Sequence, residues 1–292
     1  MKKSWTSFSI MVFAGYALTL LSLFWGAPFI RVLRARYGAL IFWLTGIVFS
    51  LAMANFWFVG ASVWITIGLF SELEARGVRW FLNGFLSLLA GTGVLAAGIL
   101  QKLEQLNLDT TAKLAEAVKA FINERTLLTI PAEFDFEGLV YQLPSLAIIA
   151  VVLTLAHGLI FEKSVYRWFR VPRERYAAKV RLLEFQLPDA FVWTAMVAFL
   201  GSTLEWKYQW IGTNILNVCV ALFFFQGLAV LESFFKALRV GIFVRALGYF
   251  LFVFQLFIVL AFVGFIDFWI GFRNRFRKIP TSGQDNKNVR LS

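Results

Sequence analysis

The chain has 292 residues, 60% of them hydrophobic and only 15% charged, with 34 Phe, 11 Trp and a mean hydropathy of +0.73. An average soluble domain carries about 25% charged residues, and a single soluble core stops growing near ~250–300 residues, so a water-soluble enzyme, a nucleic-acid-binding domain and a disordered chain are all excluded. The net charge of +11 then belongs to loops between apolar runs and to anionic lipid headgroups, not to a nucleic-acid partner.

A helix needs about 20 apolar residues to cross a bilayer. The stretch Phe8–Ile30 meets that length and predicts a first span; a cleaved signal peptide has a shorter apolar core of ~7–15 residues. Arg31, Arg34 and Arg36 predict a basic turn that ends it. The next apolar run, 38–70, is too long for one span and short for two. Asn55 predicts a turn between short helices over about 39–54 and 56–71. Glu72–Arg79 reads as a polar break, and Trp80–Leu100 as the fourth span.

The hydrophilic stretch 101–142 holds four Lys/Arg against seven Asp/Glu and predicts an extramembrane loop. Within it, Asp109 or Thr110 caps an amphipathic helix over 111–124, with Leu114, Val118, Phe121 and Ile122 on one stripe. Pro144–Phe161 is the fifth span. The loop over about 163–187 follows, with seven basic residues and one acid in 163–181. Phe185–Leu204 predicts a short span after Pro188, then come Trp210–Phe235 and Ala246–Phe272. The polar tail 279–292 reads as disordered. These elements predict an all-α fold: a polytopic transmembrane bundle of about eight spans, with six or seven as alternatives. They form one integral membrane domain over 1–278 with one amphipathic extramembrane helix.

The positive-inside bias places 163–181 in the cytoplasm and 101–142 outside. Working back, it also places Arg31–Arg36 and Arg76–Arg79 inside. Working forward, Lys236, Arg239 and Arg245 fall inside, but Arg273–Lys278 fall outside, against the rule. Lys2 and Lys3 conflict in the same way.

No catalytic set is present. One histidine and one cysteine cannot build a multi-ligand zinc site, and neither a phosphate-binding Gly-rich loop nor a nucleophile elbow occurs. The reading is therefore a non-enzyme with no metal and no cofactor. His157 reads as a helix-end histidine and Cys219 as a packing residue. Polar groups inside late spans carry the remaining interest, because intramembrane polar and ionisable groups are costly. Asn214, Asn217 and Glu232 fall near one helical face, with Gln226 off it beside Gly227; Asp267 lies near the end of the last span. The strip is either a helix-end salt bridge (Glu232 with Lys236) plus interhelical glue, or the lining of a ligand cavity. Arg167, Arg170, Arg173 and Arg175, interleaved with aromatics, predict lipid-headgroup contacts.

The segments Phe185-Gln-Leu-Pro-Asp-Ala-Phe-Val-Trp193, Asn214 with Asn217, Phe225-Gln-Gly-Leu-Ala-Val-Leu231 and Gly264-Phe-Ile-Asp-Phe-Trp-Ile-Gly-Phe-Arg273 resemble the YybS-like family of bacterial multipass membrane proteins. That family is similar in layout to substrate-binding subunits of energy-coupling-factor transporters, and more distantly to a rod-shape protein. The resemblance implies a bacterial inner-membrane protein and, by analogy of layout, a cavity between the late helices that binds a small hydrophobic or amphipathic molecule. It carries over no site residues, and the polar groups of the late spans themselves supply the expected ligand-binding set Asn214, Asn217, Gln226, Glu232 and Asp267. The alternative it leaves open is a scaffold with a membrane-protein partner in a cell-envelope complex, using 109–124 and 163–181 as docking surfaces.

Overall fold

The computed structural model describes residues 5–125, 131, 133–171, 185–204 and 207–277. The described residues form twelve α-helices: α1 (Trp5–Leu21), α2 (Ala27–Tyr37), α3 (Ala39–Ala52), α4 (Trp57–Ala75), α5 (Trp80–Gln105), α6 (Thr111–Arg125), α7 (Phe136–Trp168), α8 (Ala190–Thr203), α9 (Gln209–Ala237), α10 (Ile242–Phe254), α11 (Phe257–Ile270) and α12 (Phe272–Arg277). They cluster as two compact units, Met1–Lys179 and Val180–Ser292, within the stretch read from sequence as one domain.

In the first unit, the expected span Phe8–Ile30 is not one helix. It breaks at 22–26, and α2 folds back along α1: Phe8 meets the Tyr37 ring at 5.1 Å, and the Gly15 backbone lies against Ile30. Pro28 explains the break. It lacks a donor for a continuing helix but suits the first turn of a new one. Gly26 completes the turn, since any side chain there would overlap Thr19 and the Gly15 carbonyl. The expected basic turn is thus the second half of α2, with Arg31 buried.

The run 38–70 divides as its composition predicts. A 3-10 turn over Ala54–Phe56, with Ala54 at φ 46°, separates α3 from α4. Gly46 on α3 admits the Trp64 indole of α4, which stacks on Phe42 and donates to the Phe42 carbonyl at 3.0 Å. Helix α4 runs on through Glu72 and Glu74, so the polar break is shorter than Glu72–Arg79. Against α5, it uses close approach: Gly91 fits over Thr66, Gly98 over Phe58, and Ser62 donates to the Gly91 carbonyl at 2.8 Å. Lipid is as apolar as a side chain, so such backbone proximity, not burial from water, holds these helices together. Gly93, by contrast, faces open space.

Helix α6 matches the predicted amphipathic segment, and Thr110 supplies the cap by accepting from the Lys113 amide at 3.3 Å. Helix α7 starts earlier than the span Pro144–Phe161. Asp135 caps it by accepting from the Gly138 amide at 2.8 Å, and Pro144 is carried inside the helix. The polar loop is correspondingly shorter than 101–142.

In the second unit α8 packs antiparallel along the first half of α9, with Gly201 against Gly212 and Val192 in one cluster with Cys219 and Phe223. The second half of α9 receives α11. Their backbones touch where Gly227 meets the Leu260 carbonyl and Gly264 meets the Phe223 carbonyl. Helices α10 and α11 are bent by 95° at 255–256, so the expected span Ala246–Phe272 is a broken element.

Among the described residues, four segments are long and apolar enough to cross a membrane: Ala54–Ala75, α5, α7 and α9. The bent pair makes a fifth if it is one span, and α1, α3 and α8 are shorter apolar helices.

Candidate functional site

The second unit contains a buried polar cluster where three helix ends meet. Gln226 on α9 is 1% exposed and Asp267 on α11 is 3% exposed. The Gln226 side-chain oxygen accepts from the Leu187 amide at 3.0 Å, just ahead of α8. Its nitrogen lies 3.5 Å from Asp267 Oδ2. Arg273 donates to the same Oδ2 from Nε at 2.9 Å and Nη2 at 2.7 Å. Its Nη1 reaches the Phe185 carbonyl at 2.7 Å.

Each bond has a backbone cause. Residues 185–188 are not helical, so the Leu187 amide and Phe185 carbonyl lack helical partners. Gly271 adopts φ 61°, ends α11 and turns the chain so that Arg273 points back at Asp267. One atom is left over: Asp267 Oδ1 is buried and has no hydrogen-bond partner among the described residues. Phe223, Phe265, Phe268 and Leu187 belong to the apolar cluster of this unit.

Glu232 stands apart from this cluster. Its carboxylate accepts from the Tyr249 hydroxyl of α10 at 2.6 Å and pairs with Lys236 at 3.3 Å and Arg245 at 3.7 Å. The Glu232–Lys236 salt bridge expected at i,i+4 is present, and α10 adds two partners to it. Asn214 donates to the Trp210 carbonyl of its own helix at 2.8 Å, and Asn217 is half-buried. The structure therefore brings Gln226 and Asp267 together and pairs Glu232 elsewhere. Asn214, Asn217 and Glu232 share α9.

The first unit holds a second network that sequence reasoning missed. Arg31, 2% exposed, bonds Glu162 of α7 and pairs with Glu74 of α4 at 2.7 Å; Ser71 accepts from it at 3.3 Å. Its guanidinium lies 5.2 Å from the Phe70 ring centroid. Next to it along α2, Arg34 grips Glu72 through two bonds of 2.6 and 2.9 Å. Arg36 donates to the Phe169 carbonyl at 2.7 Å. Treating the arginines as a loop hid this cluster. A helical reading of 27–37 puts Arg31 and Arg34 on one face and would have asked for acidic partners. Arg273 was equally legible as a candidate partner for Asp267, six residues away across a Gly.

Arg167 and Arg170 are exposed at the end of α7, while Arg173 and Arg175 lie outside the described residues. The tail 279–292 lies outside them too. His157 sits well inside α7 rather than at a helix end, against the rings of Phe161 (4.3 Å) and Phe24 (5.6 Å). A hollow of about 90 Å³ in the first unit, lined by Asn55, Gly98, Gln101, Lys102 and Gln105 among others, contains none of the ligand-binding residues expected from sequence. It is small beside the ~300–1,000 Å³ of ordinary ligand pockets.

The family described as "Predicted membrane protein (DUF2232)" matches residues 5–268. No curated protein and no solved structure matches the chain significantly.

Proposed function

The chain belongs to the DUF2232 family of predicted membrane proteins, and from that premise we propose that it is a non-catalytic, small-molecule-binding component of a transport system in the bacterial cytoplasmic membrane. The observation that carries this reading is Asp267. It is a buried carboxylate at the junction of broken helices, with one oxygen held by Arg273 and the other unpartnered. Leaving a buried acceptor unsatisfied costs about 1–3 kcal/mol, more for a charged one. A ligand that brings an ammonium, amide or hydroxyl donor recovers that energy. Irregular backbone at membrane depth is tolerated where protein or a cavity surrounds it, and transporters commonly bind substrate at such interrupted helices. The surrounding aromatics suit an amphipathic molecule with an apolar body.

The test is native mass spectrometry of the protein purified in mild detergent. A retained small molecule that is lost in Asp267→Asn and Gln226→Ala supports the reading. A ligand-free parent protein, with both variants behaving like the parent in uptake assays, overturns it.

A second reading is favoured by one separate observation. Phe121 on the amphipathic α6 is 64% exposed, an aromatic anchor of the kind that docks a protein partner. Here the protein is a scaffold in an envelope complex. Crosslinking in native membranes separates the two readings: an energising ATPase supports the first, and envelope-synthesis proteins support the second.

A further inference from the structure

The last 36 described residues, 242–277, both begin and end beside the C-terminal end of α9. Tyr249 of α10 bonds Glu232, and its ring meets Phe235 at 5.5 Å. Gly248 lies against the same Phe235. Helix α11 reaches deepest, where Leu260, Gly264 and Phe265 meet Phe223 and Gly227. Asp267 is already level with Gln226, and Phe276 of α12 is back beside Phe234, with ring centroids 5.6 Å apart. Helix α9 has 29 residues, about 43 Å at 1.5 Å per residue. The contacts of α10–α12 at Phe223, Gly227, Glu232, Phe234 and Phe235 span roughly 18 Å of that length, and α11 shares an apolar cluster with Cys219 and Val220 just beyond. Helix α11 alone has 14 residues, about 21 Å, short of the ~30 Å hydrocarbon core.

The path therefore starts beside the C-terminal end of α9, passes Phe223 at the middle of α9 through Gly264 and Phe265 of α11, and returns to the same end. Cations collect at that end. Lys236, Arg239 and Arg275 are exposed, and Arg239 sits at φ 52° in the turn between α9 and α10. Helix α10 beside them has no buried residue and exposes Ile242, Phe243, Leu247, Phe250 and Phe254. An apolar face with a basic edge is the composition of a helix lying in the headgroup–acyl boundary of an anionic membrane.

We infer that α10–α12 form a re-entrant segment whose two ends share one membrane face, and that Lys236, Arg239 and Arg275 there dock on anionic lipid headgroups. The arrangement removes the conflict seen from charge alone. A crossing α11 would leave Arg273 and Arg275 on the face opposite Lys236 and Arg239; a re-entrant one places all four where the positive-inside bias wants them.

Single cysteines at Leu238 and Asn274, both exposed, test the topology with a membrane-impermeant maleimide on right-side-out and inverted vesicles. The parent chain, with Cys219 buried, supplies the baseline. Both sites are expected to label from the same face, and labelling from opposite faces overturns the inference. The lipid partner is tested in nanodiscs of mixed phosphatidylglycerol and phosphatidylcholine. Lys236→Gln, Arg239→Gln and Arg275→Gln together are expected to reduce the preference for co-purified phosphatidylglycerol by more than about tenfold, as each headgroup-level cation contributes several-fold. An unchanged preference, in a variant whose melting temperature matches the parent's, overturns the lipid assignment.

Discussion

Asp267 and Arg31 show what a single charge does when water is absent. Each is nearly fully buried and each is held by opposite charge: Asp267 by Arg273, Arg31 by Glu74 and Glu162. Removing one partner strands the other, which costs about 3–5 kcal/mol in buried pairs. Arg31→Met leaves two carboxylates facing each other without their cation. It should lower the detergent-solubilised melting temperature sharply, whereas Arg36→Gln, which loses a bond to a carbonyl, should lower it far less. Asp109 is the opposite case. The Lys113 hydrogen bond holds its carboxyl below the usual carboxylate range, so any stabilisation is present above the unfolded pKa and is lost as pH falls through the lowered folded value. Both side chains are exposed and screened by water. Asp109→Asn should leave the melting temperature at neutral pH unchanged.

At the scale of helices, glycine decides where two backbones can meet. Gly227 and Gly264 bring α9 and α11 into backbone contact, and any side chain at either position would collide with a carbonyl that cannot move aside. Gly227→Val should cost at least ~1–3 kcal/mol as overpacking and should raise hydrogen exchange in α11 before α8. Gly93→Ala is the control. Nothing lies within 4 Å of its Cβ position, so the substitution should be neutral or stabilising by ~0.5–1 kcal/mol through helix propensity. The small-residue spacing of α5 is plain in the sequence, but it does not distinguish Gly98, which packs on Phe58, from Gly93, which faces outward.

At the scale of the whole chain, the two compact units each carry their own apolar core and their own buried ion network. Loss of a network should be felt first in its own unit. Hydrogen exchange on Arg31→Met should rise through 27–75 with little change in 209–270, and Asp267→Asn should do the reverse. Uniform exchange in either variant would show that the two units unfold as one.

The sequence by itself determined the environment, the all-helical class, the long spans α5, α7 and α9, the Asn55-region turn and the amphipathic α6. These follow from run length, periodicity and capping residues, which are local. It also named Gln226, Asp267 and Glu232 as costly polar groups, because so few polar residues interrupt the late apolar runs. Tertiary structure decided their partners. That Arg31 is a core residue rather than a loop charge depends on α2 folding back at Pro28. That Gln226 serves the Leu187 amide, 39 residues away, depends on where α8 begins. Hydropathy records how apolar a stretch is, but a chain that turns back inside the membrane and one that crosses it have the same composition. The contacts of Phe276 with Phe234 and of Phe8 with Tyr37 are where the chain is seen to fold back on itself.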